Sequence, residues 1–356
     1  AQDGKQPRIK KIYDQGLLAY NTAGWSGISS EELVERTRKM LKAGWPQIKI
    51  KVGVAYSKGR MEAQQHGRIL SRKEIDDIAL AAAEEDAERM TRVYQTIRQE
   101  DTRRPRMKVA IDSNQVFDPR SAFLFAERLA RRLYEVNPEF QIDWFEEPTS
   151  QHSAAGHVLI QRELNEALKG YAPPLHVPIS TGEHGASPVT FKDLLHAPAF
   201  DGSGMRYAID VIQMDYARVG GIGDNLAILL LAKKARMKGR DVRICPHTGG
   251  IGLCEGARNI QAIKQALFGS TNNAGVEDIL EFVAEETRSV HEGVFENPAT
   301  VKNGYYQMTR TPGVGVDYTA EGKRQYLLPD GEAWQSTPQL AEQAKKFMLV
   351  SNRYKN

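Results

Sequence analysis

QIKIKVG, residues 47–53, reads as a buried strand that carries two lysines on alternate positions. Successive side chains of a strand point to opposite faces, so Lys49 and Lys51 share one face while Ile48 and Ile50 share the other. The isoleucines suit a surface covered by helices. The lysines require an interior that is polar at this end of the strand.

Working outward, similar runs recur: LLAYNTAGWSG (17–27), MKVAIDSN (107–114), IDWFEEP (142–148), VPISTGEH (177–184), AIDVIQMDYARVGG (208–221), DVRICPH (241–247) and DILEFV (278–283). Amphipathic helical stretches lie between them. In SSEELVERTRKMLKAGW (29–45), Leu33, Thr37, Met40 and Leu41 recur at helical spacing behind a Ser/Glu start. Alternating βα units predict an α/β fold with a parallel sheet. Eight strands over roughly 280 residues lie near the ~250 typical of a closed barrel, with a doubly wound open sheet as the alternative. RVGGIGDN (218–225) lacks the full spacing of a dinucleotide loop. Residues 54–84 are polar and lengthen the connection after the second strand, which predicts a surface excursion or lid. The tail from Lys302 is rich in turn residues and is expected to wrap over the barrel.

The 356 residues are 41% hydrophobic, enough for a large core. Lys and Arg (48) nearly balance Asp and Glu (45), and the net +3 is not gathered in a stripe, which argues against a nucleic-acid partner. Cys245 and Cys254 flank His247 at no zinc spacing and are expected to be reduced, buried thiols. The longest apolar run, AILLLA (227–232), is far short of the ~20 residues that span a bilayer, so no membrane partner is expected. No apolar signal core opens the chain. A cytoplasmic or mitochondrial-matrix location is expected, and the start without methionine suggests a piece of a longer protein.

In a barrel the active site lies where strands end. The residues there are Lys49 and Lys51, Asp112 and Asn114, Glu146 and Glu147, Glu183 and His184, Asp215, His247 and Glu281. Singly, each has a bland role as a cap, turn or surface residue. Jointly, an ionisable group at the end of nearly every strand is hard to explain as packing. Asp112, Glu146 and Glu183 close successive strands and would aim three carboxylates at one point, where they would repel unless a hard cation such as Mg²⁺ joined them. Two neighbouring lysines in a dry cavity would lower each other's pKa, making one a candidate base. A carboxylate beside an imidazole, as at Asp215 and His247, would make the histidine a second acid/base. Glu281 could hydrogen-bond an enolate if protonated. A Lys or His base with Mg²⁺ at an enediolate is the general pattern of enolase-superfamily sites.

The stretches AYNTAGWSG, KIKVG, IDSNQVFD, WFEEPTS followed by GH at 156, STGE, IQMDYARVGGIGDN, CPHTGGIGLCE and ILEFV resemble the mandelate racemase branch of the enolase superfamily. Within that branch the resemblance is to the L-fuconate dehydratase type of sugar-acid dehydratase, over about residues 19–334. It implies a (β/α)7β barrel at 19–301, with the N-terminal α+β capping domain largely missing. On that reading residues 1–18 are its remnant or a linker, and 302–356 are a C-terminal tail packed on the barrel. It also implies Mg²⁺ on Asp112, Glu146 and Glu183, acid/base roles for Lys51 with Lys49 and for His247 with Asp215, and Glu281 near the enolate. Asn114, Trp25 and His184 are candidate substrate contacts; at His184 the L-fuconate dehydratase type carries a different residue. The implied reaction is dehydration of an aldonate such as L-fuconate or L-galactonate to a 2-keto-3-deoxy acid, in an enzyme expected to be a homo-oligomer. The alternatives are a racemase or epimerase using the same Lys/His pair, and a truncated, non-catalytic barrel.

Overall fold

The computed structural model describes residues 4–197, 208–249, 253–283 and 293–353; residues 250–252 of CPHTGGIGLCE thus lie outside it. Helix α1 (Lys5–Gln15) leads into β1 (Leu17–Gly24), followed by α2 (Ser30–Lys42) and β2 (Gln47–Lys51). Then come α3 (Val54–Gln65), α4 (Arg72–Glu100), β3 (Lys108–Asp112), α5 (Pro119–Val136), β4 (Ile142–Glu146) and α6 (Ala154–Ala167). The alternation continues with β5 (Ile179–Thr181), α7 (Pro188–His196), β6 (Val211–Ile212), α8 (Ile222–Met237), β7 (Arg243–Ile244), α9 (Cys254–Phe268) and β8 (Leu280–Phe282).

The helices start where their side chains dictate. The Ser29 hydroxyl accepts the Glu32 N–H at 3.1 Å and opens α2, which buries Leu33, Thr37 and Met40 at helical spacing. Asp118 caps α5, whose first residue is Pro119, and the helix buries Phe125, Leu129 and Leu133 against the sheet. Phe125 stacks between Phe117 and Phe145, with centroids 4.8 and 5.9 Å away. Burying each such ring contributes about 1.5–3 kcal/mol.

Residues 54–84, expected as a surface excursion or lid, are helical: α3 and the first part of α4 occupy most of them, with Tyr56, Ala79, Ala82 and Ala83 buried. A capping box at Ser71 and Glu74 starts the long α4, so a polar composition there marks a helix surface. The stretch 208–221 is not one long strand. Only Val211–Ile212 pair as strand, Asp215 forms an isolated bridge to His247, and α8 begins at Ile222.

The strands run parallel in the order β8-β1-β2-β3-β4-β5-β6-β7. The sheet is strongly curved, because side chains of non-adjacent strands meet: Tyr20 of β1 packs edge-on against Trp144 of β4 at 5.1 Å. The Arg243 guanidinium of β7 lies 5.2 Å from the centre of the same indole. Tyr20, Ala110, Trp144, Val211, Cys245 and Ile279 form a separate buried cluster. Both cysteines are free and buried, as expected.

Among the described residues no regular ladder joins β7 to β8. One backbone bond crosses it, from the Glu281 N–H to the Pro246 carbonyl at 3.3 Å, and side chains add to that seam. The buried Asp278 carboxylate accepts two bonds from the Arg236 Nη2 of α8, at 2.7 and 2.8 Å, and the Ile244 N–H at 2.7 Å, and it contacts Lys264 of α9.

Beyond β8 lie short strands β9 (Phe295–Glu296), β10 (Val301–Lys302), β11 (Tyr305–Tyr306) and β12 (Asp317–Tyr318). Antiparallel pairing of Leu17 with Tyr306 carries β10 and β11 onto the start of β1. Helices Ala320–Tyr326, Glu332–Gln335 and Pro338–Arg353 end the described chain. No described helix is long and apolar enough to cross a membrane.

Candidate active site

Strand register assembles the site. Lys51 of β2 pairs with Asp112 of β3, and Asp112 pairs with Glu146 of β4. Carboxylate oxygens of Asp112, Glu146 and Glu183, which follows β5, lie within 4.8 Å of one another. The Lys49 ammonium, almost completely buried, meets Glu146 at 2.5 Å, Glu281 at 2.9 Å and Asp112 at 3.4 Å. Lys51 donates to Asp112 and lies 5.9 Å from the centre of the Trp25 ring.

His247 also reaches the carboxylates. Its Nδ1 is 2.6 Å from Asp215, while its Nε2 faces Glu183 at 3.5 Å and Glu281 at 3.7 Å. Asp215 is itself held by the Ala217 N–H at 2.7 Å. Burial works to lower the imidazole, but Glu281, the Asp215 hydrogen bond and Glu183 outweigh it and push His247 up to about 9.

The expected mutual depression of the lysines does not apply to Lys49. Burial lowers its ammonium, but the attraction of Glu146, Glu281, Tyr20 and Asp112 dominates and holds it well above the ordinary lysine range. Each lysine faces carboxylates rather than the other. Glu281 likewise departs from expectation: despite burial, Lys49, His247 and the Thr22 hydroxyl at 2.6 Å draw its carboxyl down to about 2, so it stands as an acceptor.

Burial also raises Asp112, but Lys49 and Lys51 overcome it and hold that carboxyl below its usual range. Glu146 goes the other way. Burial, Asp112, Glu281 and Glu183 push it up to about 8 against the pull of Lys49. Lys49 is shared among three acids and cannot neutralise all of them. Asp112, Glu146 and Glu183 converge as the all-oxygen donor set that a hard divalent cation takes.

Several residues that position these groups escaped the sequence reading. Gln213 donates to Glu146 at 2.5 Å, as the Trp144 indole does at 3.0 Å, and Ser180 donates to the Gln213 carbonyl. Gln115 donates to Glu147 at 2.9 Å, and His184 Nδ1 lies 2.7 Å from the same oxygen. Asn114, Gln115 and Glu147 have φ of 47°, 63° and 45°, left-handed values that L-residues rarely adopt and that cluster at functional sites. Asn114 also donates its N–H to Asp112 at 2.9 Å. The available signal was alternation: Gln213 lies two residues before Asp215, and Thr22 two after Tyr20, on the face that carries the charges.

Comparison with known proteins agrees with this architecture. Mitochondrial enolase superfamily member 1 of Homo sapiens is 30% identical over 335 residues, covering 94% of this chain and 59% of that protein. L-galactonate dehydratase of Hypocrea jecorina is 30% identical over 339 residues, again covering 94% and 59%. The chain thus spans about three fifths of the length of these curated relatives. The crystal structure of the human protein superposes with a TM-score of 0.65 at 27% identity, over 94% of this chain and 60% of that one. L-talarate dehydratase from Polaromonas sp. JS666, complexed with Mg and L-glucarate, shares the fold with a TM-score of 0.56 at 21% identity, over 88% of this chain and 66% of that one. The enolase C-terminal domain-like family matches residues 32–322, and the chain belongs to the enolase superfamily.

Proposed function

We propose that the chain is the catalytic part of a Mg²⁺-dependent acid-sugar dehydratase, acting on an aldonate such as L-fuconate or L-galactonate. One observation supports the reading: a convergent carboxylate trio is contacted at Asp112 by the Lys51 amine and approached at Glu183 by the Asp215-supported imidazole of His247. The 30% identity to an L-galactonate dehydratase supports the substrate class. In this reading residues 19–301 form a closed (β/α)7β barrel, residues 1–18 belong with a capping domain or linker, and 302–356 are a tail packed on the barrel. The name of the human relative makes the mitochondrial matrix the compartment to examine first.

Asp112, Glu146 and Glu183 would hold the Mg²⁺, which supplies positive charge beside the substrate carboxylate. Lys51, as the neutral amine, would remove the proton from C2. His247, kept as the imidazolium by Glu281, Asp215 and Glu183, would deliver a proton to the 3-hydroxyl as its C–O bond breaks, so water leaves and the enol becomes a 2-keto-3-deoxy acid. Glu281 accepts hydrogen bonds from Lys49 and Thr22 and holds Lys49 against the trio. Trp25, Asn114 and His184 line the approach.

The test is a panel of acid sugars incubated in D₂O with Mg²⁺ and assayed for 2-keto acids and for exchange at C2. Lys51→Ala should abolish both; exchange that survives in the variant would remove Lys51 from the proposed role. Product that retains all hydroxyls but inverts at C2 would mark an epimerase. Stoichiometric Mg²⁺ binding with no turnover across the panel would mark a non-catalytic barrel.

A further inference from the structure

At the opposite end of the strands from the acidic centre, a cleft of about 490 Å³ opens among the loops that precede β3, β4 and β5. Lys108 begins β3 and Asp112 ends it, so four residues at ~3.3 Å each separate the two ends by about 13 Å. The cleft's lining is basic: Arg98 from the last turns of α4, Arg104 and Arg106 from the following loop, and Lys108.

Only part of this charge is answered. Arg106 Nη1 meets Glu139 at 3.0 Å. Asp143 is shared between Lys108, at 3.1 Å, and Arg243, at 2.8 Å. Among the described residues no carboxylate pairs with Arg98 or Arg104; Arg104 donates only to the backbone carbonyls of Asp101 and Arg103. Four lining cations thus face two carboxylates, one of them also engaged by Arg243, leaving at least two positive charges in the recess. Furthermore, the Arg106 Nε is buried with no hydrogen-bond acceptor. A buried guanidinium N–H with no acceptor is destabilising.

We propose that this recess binds a small phosphorylated anion, held by the guanidinium groups of Arg98, Arg104 and Arg106 with Lys108 as a further cation. Three considerations select that class. The volume lies in the range of small-ligand sites, roughly 300–1,000 Å³. Planar guanidinium groups match the paired oxygens of phosphate, each donating two parallel hydrogen bonds. The surplus of positive charge calls for a ligand with more than one negative charge, as a phosphate monoester carries near neutral pH. An acid-sugar substrate has a single carboxylate at its reacting end and would leave much of that charge unanswered. The site is therefore independent of the proposed reaction and stands whether or not the chain is a dehydratase.

The test is titration calorimetry of the whole chain at fixed moderate ionic strength, with inorganic phosphate in one arm and glucose 6-phosphate in the other. Saturable one-site binding in either arm is expected, and the tighter arm tells free phosphate from an esterified one. Arg98→Gln combined with Arg104→Gln should weaken binding at least 10-fold. Both side chains are exposed, so the fold is retained, and circular dichroism checks it. Arg106→Lys keeps the charge but removes the unpaired Nε donor, and should weaken binding several-fold. Absence of saturable binding in both arms, or unchanged affinity in the double variant, overturns the proposal.

Discussion

Asp278→Ala should unfold the protein at a clearly lower temperature, because Asp278 does at the β7–β8 seam what a backbone ladder does elsewhere. Its carboxylate is fully buried and takes the Arg236 guanidinium through two contacts, the Ile244 N–H through a third and Lys264 through a fourth. Among the described residues, removing it leaves Arg236 the Val242 and Thr271 carbonyls as acceptors, at 2.7 and 2.8 Å. Breaking a buried pair by deleting one partner costs about 3–5 kcal/mol. The unfolding entropy of a 356-residue chain is on the order of 0.75 kcal/mol/K, at ~2.1 cal/mol/K per residue. A loss of about 4 kcal/mol then lowers the midpoint by about 5 °C. Calorimetry with a parallel urea titration measures both quantities. The triple change Asp278→Leu, Arg236→Met, Lys264→Met should recover at least half of the loss, since apolar packing replaces buried charge without leaving any group unpaired. A midpoint for Asp278→Ala within 1 °C of the parent would falsify the assignment of the seam to this network.

Two further outcomes follow from the site and its surroundings. His157 is buried, its Nε2 has no partner, and burial lowers it to about 4 from an ordinary value of 6.5 despite the Ser153 carbonyl at its Nδ1. The folded state thus favours neutral imidazole: stability is complete above pH 6.5 and falls as pH drops toward 4, by about 2 kcal/mol at pH 5. His157→Gln should remove that part of the acid sensitivity in urea titrations at pH 7.5 and 5, and equal slopes in parent and variant would contradict it. Asp215→Asn removes the carboxylate 2.6 Å from His247 Nδ1 but none of the metal trio. Turnover on the accepted acid sugar should fall about 10²–10⁴-fold while Mg²⁺ affinity stays within a factor of two or three; loss of metal binding would place Asp215 in the trio instead.

Local pattern made much of the site readable. Lys49 and Lys51 had to share a face because strand side chains alternate, and the acids were visible as ionisable residues at the ends of apolar runs. Gln115 and Gln213 were not visible. Neither is ionisable, and each matters through a partner on another strand, Glu147 at 2.9 Å and Glu146 at 2.5 Å. The helical character of residues 54–84 was not read from their polar composition, because half of α3 is exposed and the capping box at Ser71 that starts α4 went unnoticed.

The protonation states lay furthest from the sequence. Two adjacent lysines suggest mutual repulsion, yet Lys49 is raised, because folding places Glu146 and Glu281 closer to it than any cation. Glu281 is drawn down to about 2 while Glu146 is pushed up to about 8, although both are glutamates at strand ends.

By itself, then, the order of residues determined the alternation of strands and helices, the end of the sheet that carries charge, and the identity of the ionisable groups there. These depend on side-chain periodicity along one element. Which carboxylate shares which ammonium, how β7 is tied to β8, and that Arg98, Arg104 and Arg106 surround one recess were decided only by the tertiary structure. Such facts depend on distances between elements far apart in the chain, and the strength of a buried charge is set by what folding brings within a few ångströms of it.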